Sequence, residues 1–203
     1  LPAGGALHLR GNGSGWVSLS PDGRAELLDG SMAGDIAYYP DVAIPGAVDT
    51  VRAFVAQAVA SGVQRLVLLS GRGEEEAQAC EQIVQATDSE WTIVRASWFM
   101  QNFSEGFIRD MILDGTVALP VGDVREPFVD VDDIADIAVQ ALTSTDLDDQ
   151  LFEVTGPRLM TFAEATAEVA AASGREVRFV DVPHDEFLAS LASAGVPEDY
   201  VRL

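Results

Sequence analysis

GAVDTVRAFVAQAVASGVQRLVLLSG, residues 46–71, carries two hydrophobic patterns side by side. From Gly46 to Ala60 the apolar residues recur at three- and four-residue spacing, which lays them along one stripe of an amphipathic helix. After Ser61-Gly62 the period is lost, and RLVLLSG becomes a continuous apolar run. Such a run suits a strand covered on both faces, as in a parallel sheet. Helix followed by buried strand is half of a βαβ unit, and the flanks supply the rest. GDIAYYP (34–40) is a short apolar strand upstream. A second helix over Glu74 to Ala86 leads to another buried strand, WTIVRA (91–96). The order β-α-β-α-β predicts a parallel sheet with right-handed crossovers.

Downstream the rhythm loosens. SWFMQNFSEGFIRDMILDG (97–115) reads as an aromatic-rich loop entering a helix, and TVALP and PFVDV as short extended pieces. DDIADIAVQAL is a helix with Asp132 or Asp133 at its N-terminus, and QLFEVTG is a strand. TFAEATAEVAAASG predicts a helix capped by Thr161 and ended by Gly174. VRFVDVP is a last strand, and the tail DEFLASLASAGVPEDYV a helix broken at Gly195 and Pro197.

Upstream, RGNGSGWVSLSPDGR (10–24) has the glycines of a phosphate-binding loop, but Trp16 stands where the third glycine of G-x-G-x-x-G belongs. WVSLS alternates as a strand does, and Ser20-Pro21-Asp22-Gly23 suits a type I turn, so no helix N-terminus is expected to meet a phosphate. ALHLR, WVSLS and RAELL predict a three-stranded meander lying over or beside the free edge of GDIAYYP. The expected fold is therefore α/β: a truncated Rossmann-like, doubly wound parallel sheet in residues 34–203. Residues 1–33 form an N-terminal β-meander in place of the usual dinucleotide half, and a small C-terminal lobe serves the substrate.

Among the 203 residues, 33 acids against 12 bases give a net charge of −21. That field repels nucleic acid and anionic membrane surfaces. The carboxylates read as a solvated surface, and no spacing of His, Cys or Asp suggests a metal. Cys80 sits on a helical apolar face and reads as a packed, inert thiol. With no apolar stretch of membrane-spanning length and no secretory signal pattern, the expectation is a cytoplasmic protein with a small-molecule substrate, and a homodimer through the meander as a possible assembly.

The succession LLSG, VR-x-SWFMQNF, PFVDVDDIADIA and FEVTGPRLMTFAEATAEVAAASGREVRFVDVP strongly resembles the NmrA-like family. These are atypical short-chain dehydrogenases with an NAD(P)-binding doubly wound fold. The resemblance covers about residues 27–203. It implies that the segments at the strand carboxyl ends flank nicotinamide and substrate, with Asn102 near the cofactor. Three departures stand out. The opening strand, glycine-rich turn and helix of the family are replaced by the meander; Ala96 stands where a proline usually follows the arginine; and there is no Tyr-x-x-x-Lys pair.

In open parallel sheets ligands lie beyond the carboxyl ends of the strands. That rule singles out Tyr38, Tyr39, Pro40 and Asp41 after the first strand of the sheet, Ser70, Gly71 and Arg72 after the second, and Ala96 to Phe103 after the third. Tyr39 and Asp41 are candidate acid and base, though a packed ring and a turn-forming carboxylate are equally ordinary uses. Ser70 either donates to a substrate oxygen or caps the next segment. Tyr38, Trp98, Phe99 and Phe103 line an apolar pocket or belong to the core. Arg125 meets an anionic substrate or pairs with a neighbouring carboxylate. His8 and His184 read as surface residues.

With the phosphate cradle missing and the substrate side retained, the leading expectation is non-redox acid–base chemistry. It would be a cyclisation, isomerisation or dehydration of a hydrophobic, natural-product-like substrate, with Asp41, Tyr39, Ser70 and Asn102 as catalytic residues and NAD(P) bound weakly or not at all. The alternatives are an NAD(P)H-dependent quinone, imine or carbonyl reductase and a small-molecule-sensing module.

Overall fold

The computed structural model of the chain describes the backbone of four short strands, at residues 7–10, 16–19, 25–28 and 36–38, and then residues 47–105 and 107–193. The glycine-rich turn at Gly11 to Gly15, the positions Tyr39 and Asp41, the tail break at Gly195 and Pro197, and the side chains of His8 and Tyr38 lie outside the described residues.

The chain divides into two compact units, one of residues 1–96 and 132–154, the other of residues 97–131 and 155–203. In the first, β1 (Leu7–Arg10), β2 (Trp16–Leu19) and β3 (Ala25–Leu28) form an antiparallel meander, Arg10 facing Trp16 and Trp16 facing Leu28. β1 runs beside β4 (Ile36–Tyr38), which belongs to the main sheet.

That sheet takes up the rest of the unit. It is parallel, in the order β4, β5 (Arg65–Gly71), β6 (Glu90–Ala96) and β9 (Gln150–Val154). Helices α1 (Ala47–Ala60), α2 (Glu75–Gln85) and α4 (Val131–Thr143) provide the crossovers. Side chains alternate across a strand, so Leu66, Leu68 and Ile93 present one face. Against it pack Val51, Phe54, Val55 and Ala58 of α1 and Ala77, Cys80 and Val84 of α2. Burial pushes the Cys80 thiol up from its ordinary pKa, with Glu76 and Glu81 adding to the effect, which makes it a poor nucleophile.

The second unit opens with a 3₁₀ turn at Met100–Phe103. It continues through α3 (Phe107–Leu113), β7 (Thr116–Leu119) and β8 (Arg125–Glu126), and, after the first unit's return, β10 (Met160–Thr161), α5 (Phe162–Ser173), β11 (Arg178–Asp181) and α6 (His184–Ser193). β7 pairs parallel with β11, and β8 antiparallel with β10. Its core gathers Phe103, Ile108, Ile112, Val117, Leu119, Phe128 and Phe162. The predicted start and stop of α5 are found: Thr161 and Glu164 form a reciprocal capping box, and Gly174 closes the helix at φ 67°. No described helix is long and apolar enough to cross a membrane.

Candidate functional site

In the first unit, three parallel strands bring Ser70, Arg95 and Glu153 into adjacent register, one row before their carboxyl ends. A carboxylate from α2 reaches this row. Glu81 is only 3% exposed, and its Oε1 accepts the Ser70 hydroxyl at 2.6 Å and Arg95 Nε at 2.9 Å. Arg95 Nη2 donates to Glu81 Oε2 at 2.5 Å, and Nη1 donates to Glu153 Oε1 at 3.0 Å. A buried carboxylate is stable only when paired and hydrogen-bonded, and the Arg95 fork satisfies both oxygens. The pair with Glu81 in turn holds the Arg95 guanidinium protonated beyond its usual range. Ser70, expected at the crevice, is 3% exposed and points its hydroxyl into this network.

The row ends at Arg72, in the turn after β5. Its backbone N–H donates to Ala96 O at 3.0 Å, while its side chain, 46% exposed, comes only within 3.8 Å of Glu153. Glu74 folds back over Gly71: a Cβ there would lie 2.8 Å from the Glu74 carboxyl carbon.

In the second unit, the segment after β6 is clamped from several sides. Met100 N–H donates to Val129 O, and Val129 N–H to Trp98 O. The Gln101 side chain donates to Asp130 at 2.7 Å and accepts the Val131 N–H at 3.1 Å. Ser97 Oγ donates to Pro127 O at 2.6 Å, and the same carbonyl accepts Gly156 N–H at 2.8 Å. These bonds fix the backbone around Asn102, which is half-buried. The Asn102 carboxamide makes no hydrogen bond to another described residue. A half-buried amide whose donors and acceptors meet no described residue has the chemistry to meet a ligand.

Of the aromatics named from sequence, Trp98 is 37% exposed and stands edge-on to Phe162, with ring centroids 5.2 Å apart. Phe99 is half-buried and bridges to Val129. Phe103 is 8% exposed and packs on Phe128 within the core. Arg125 is bound by Glu164 at 3.2 Å and donates to Leu159 O. Glu81, Arg95 and Glu153 escaped the sequence reading. Their signal was there: an arginine set in the otherwise apolar run WTIVRA calls for a buried acid, and Glu81 lies on the apolar side of α2.

No family model matches the chain. It is 30% identical over 164 residues to an NAD(P)H azoreductase of Xenophilus azovorans, a match covering 76% of the chain and 57% of that protein. It is also 32% identical over 201 residues to the (4-alkanoyl-5-oxo-2,5-dihydrofuran-3-yl)methyl phosphate reductase of Streptomyces griseus, covering 94% of the chain and 70% of that enzyme. The chain belongs to the NmrA-like group of atypical short-chain dehydrogenases. Its NmrA-like fold is shared with an NADPH-dependent quinone oxidoreductase of Escherichia coli, whose structure was determined with NADPH. The TM-score is 0.71 at 18% identity, covering 82% of the chain and 62% of that protein. The chain thus spans 57% to 70% of these relatives' length.

These relationships overturn two expectations, that the chemistry is non-redox and that NAD(P) is bound weakly or not at all. NmrA-like relatives across most of the chain are named as reductases, one of them for its NAD(P)H. The sequence argument rested on the N-terminal 33 residues, whereas the likeness to the Streptomyces griseus reductase covers 94% of the chain. Among the described residues, the half-buried Asn102 carboxamide, which meets no described partner, carries the donor and acceptor set that an amide-bearing ring requires.

Proposed function

We propose that this chain is the hydride-transferring part of an NAD(P)H-dependent reductase acting on a flat, largely apolar molecule such as a quinone, imine or carbonyl compound. The observation that carries the proposal is the 32% identity, over 94% of the chain, to an enzyme that reduces an unsaturated lactone phosphate. When bound, the dinucleotide supplies the hydride; the protein supplies position and the proton.

Asn102 would hold the nicotinamide end through its unengaged carboxamide, on a backbone fixed by Gln101 and the Met100–Val129 pairing. Trp98 and Met100, 37% and 40% exposed, offer the apolar surface on which a planar substrate lies, with Trp98 steadied edge-on by Phe162. Tyr39 and Asp41, which follow β4 in sequence, are the proposed sources of the proton that must accompany hydride addition. The Ser70–Glu81–Arg95 network holds the ends of β5 and β6 in place.

Thermal melts of the full chain with NADPH and with NADH test the reading. A ligand at about 100 times its dissociation constant stabilises the native state by about 2.7 kcal/mol, a rise of a few degrees for a protein of this size. Consumption of the nucleotide with menadione or an azo dye should follow. Asn102→Ala should lose most of the shift while melting normally on its own. Melts unmoved by either nucleotide, together with no consumption, would remove the reductase reading.

A further inference from the structure

We propose that the surface at the start of β7 and β11 binds a second copy of this chain, each copy presenting the same patch to the other. The inference stands apart from the reductase reading and concerns the second unit alone. Leu113, Asp114 and Thr116 come from the end of α3 and the start of β7, and Arg175, Glu176 and Arg178 from the turn after α5 and the start of β11. The parallel register of Arg178 with Thr116 sets the two segments side by side. Arg178 N–H donates to Gly115 O at 3.2 Å, and at Gly115, with φ 80°, an added Cβ would lie 3.3 Å from Glu176 O, so the two backbones are pressed together.

The charges on this surface are unmatched within the chain. Arg65, Arg72, Arg95, Arg109, Arg125 and Arg158 each have a carboxylate within 3.8 Å. Arg175 and Arg178 have none among the described residues, in a chain that carries 33 acids. Arg175 Nη2 donates to Leu113 O at 3.2 Å, and Arg178 Nε to Thr116 Oγ1 at 3.3 Å. Each guanidinium is thus steadied by a neutral acceptor while most of its five donors meet no described residue. The exposed carboxylates of Asp114 and Glu176 likewise meet no described donor, although both are close to the arginines in the chain. Leu113, beside them, is 45% exposed.

Two charges of each sign around an exposed leucine, on a fixed backbone, make a self-complementary patch. A two-fold axis sets the arginines of one copy against the acids of the other and closes Leu113 on its counterpart. Steadied side chains lose less freedom on docking than loose ones do. Charge selects this occupant over a free anion, because the two acids cancel the two arginines and the net charge of −21 repels anions at large. It also allows a second copy to approach: the patch is locally neutral, and at about 0.15 M salt the long-range repulsion between copies reaches only roughly 8 Å. Six residues a side is small beside the roughly 800 Å² per partner of a stable interface, so the dimer is weak and reversible.

Sedimentation equilibrium of the full chain at about 0.15 M salt tests this, with the wild type expected to show a monomer–dimer equilibrium at roughly 100 µM protein. Leu113→Ser, which alters no charge, should loosen the dimer about tenfold. Two double variants separate the charges: Arg175→Glu with Arg178→Glu leaves an all-acidic patch, and Asp114→Arg with Glu176→Arg an all-basic one. Each alone should be monomeric, because like charges then face each other, and an equal mixture should associate more tightly than the wild type. A wild type that stays monomeric would overturn the proposal. A dimer that persists unchanged in the three variants would place the contact elsewhere, as at the meander, and overturn it too, as would a mixture of the double variants that fails to associate.

Discussion

Removing the Glu81 carboxylate of α2 should weaken the carboxyl ends of β5 and β6. Glu81→Ala leaves Arg95 without the two bonds that hold its fork and frees the Ser70 hydroxyl inside the core. The expected loss is about 2 kcal/mol, less than for a fully enclosed pair because Arg95 keeps Glu153 and reaches water. Urea unfolding should show it as a lower midpoint at unchanged slope. Ser70→Ala alone should cost about 1 kcal/mol, and the double variant less than the sum, since both act through one carboxylate. At Gly156 the reason is steric. An added Cβ would sit 1.8 Å from Phe128 O, so Gly156→Ala must push two backbone segments apart. A loss of about 3 kcal/mol is expected by the same measurement.

Among the elements, α5 offers the clearest test. Thr161→Ala removes the hydroxyl that accepts Glu164 N–H and should destabilise the protein by about 1 kcal/mol. Glu164 closes the box from the other side by accepting the Thr161 N–H. That bond first, and Arg125 after it, hold its carboxyl below the usual carboxylate range. The folded state therefore binds this proton less readily than the unfolded one. Its contribution is present above the ordinary carboxylate pKa and disappears as pH falls through the depressed value. Acid titration of wild type and Glu164→Gln should diverge in that direction, with the variant less sensitive to acid. This helix was legible in the sequence because cap and stop are local signals. β5 and β6 were legible because burial on both faces leaves an apolar run. PFVDV was expected to be extended, and its Val129 bridges Phe99; the strand Arg125–Glu126 just before it, paired with Met160–Thr161 far along the chain, was not seen, because no local pattern encodes a partner. For the site, Asn102 was named from the sequence through family resemblance alone. The surroundings of Ser70 were missed because the period of two that turns Leu66 and Leu68 toward the helices also turns Ser70 there.

For the whole molecule, a net charge of −21 sets the response to salt. Self-repulsion of this size weakens the compact state, and about 0.15 M salt shortens its range to roughly 8 Å. The melting temperature should rise between low and physiological ionic strength, and calorimetry in sodium chloride would measure it. Unchanged melting across that range would mean that the surface carboxylates are balanced locally by pairs such as Arg158–Glu168 and Arg125–Glu164.

The interleaving of the two units along the chain governs the order in which the protein can be made. β6 waits for its neighbour β9 until residues 97–149 have been synthesised, and β7 waits for β11 across an even longer interval. Neither unit is a continuous stretch of polypeptide, so a nascent chain leaving the ribosome has no finished half to fold first. Pairings this far apart in sequence close slowly. A single peptide-bond cut between Val131 and Asp132 would therefore divide both units at once, and genes for the two units could not be separated without rejoining their pieces.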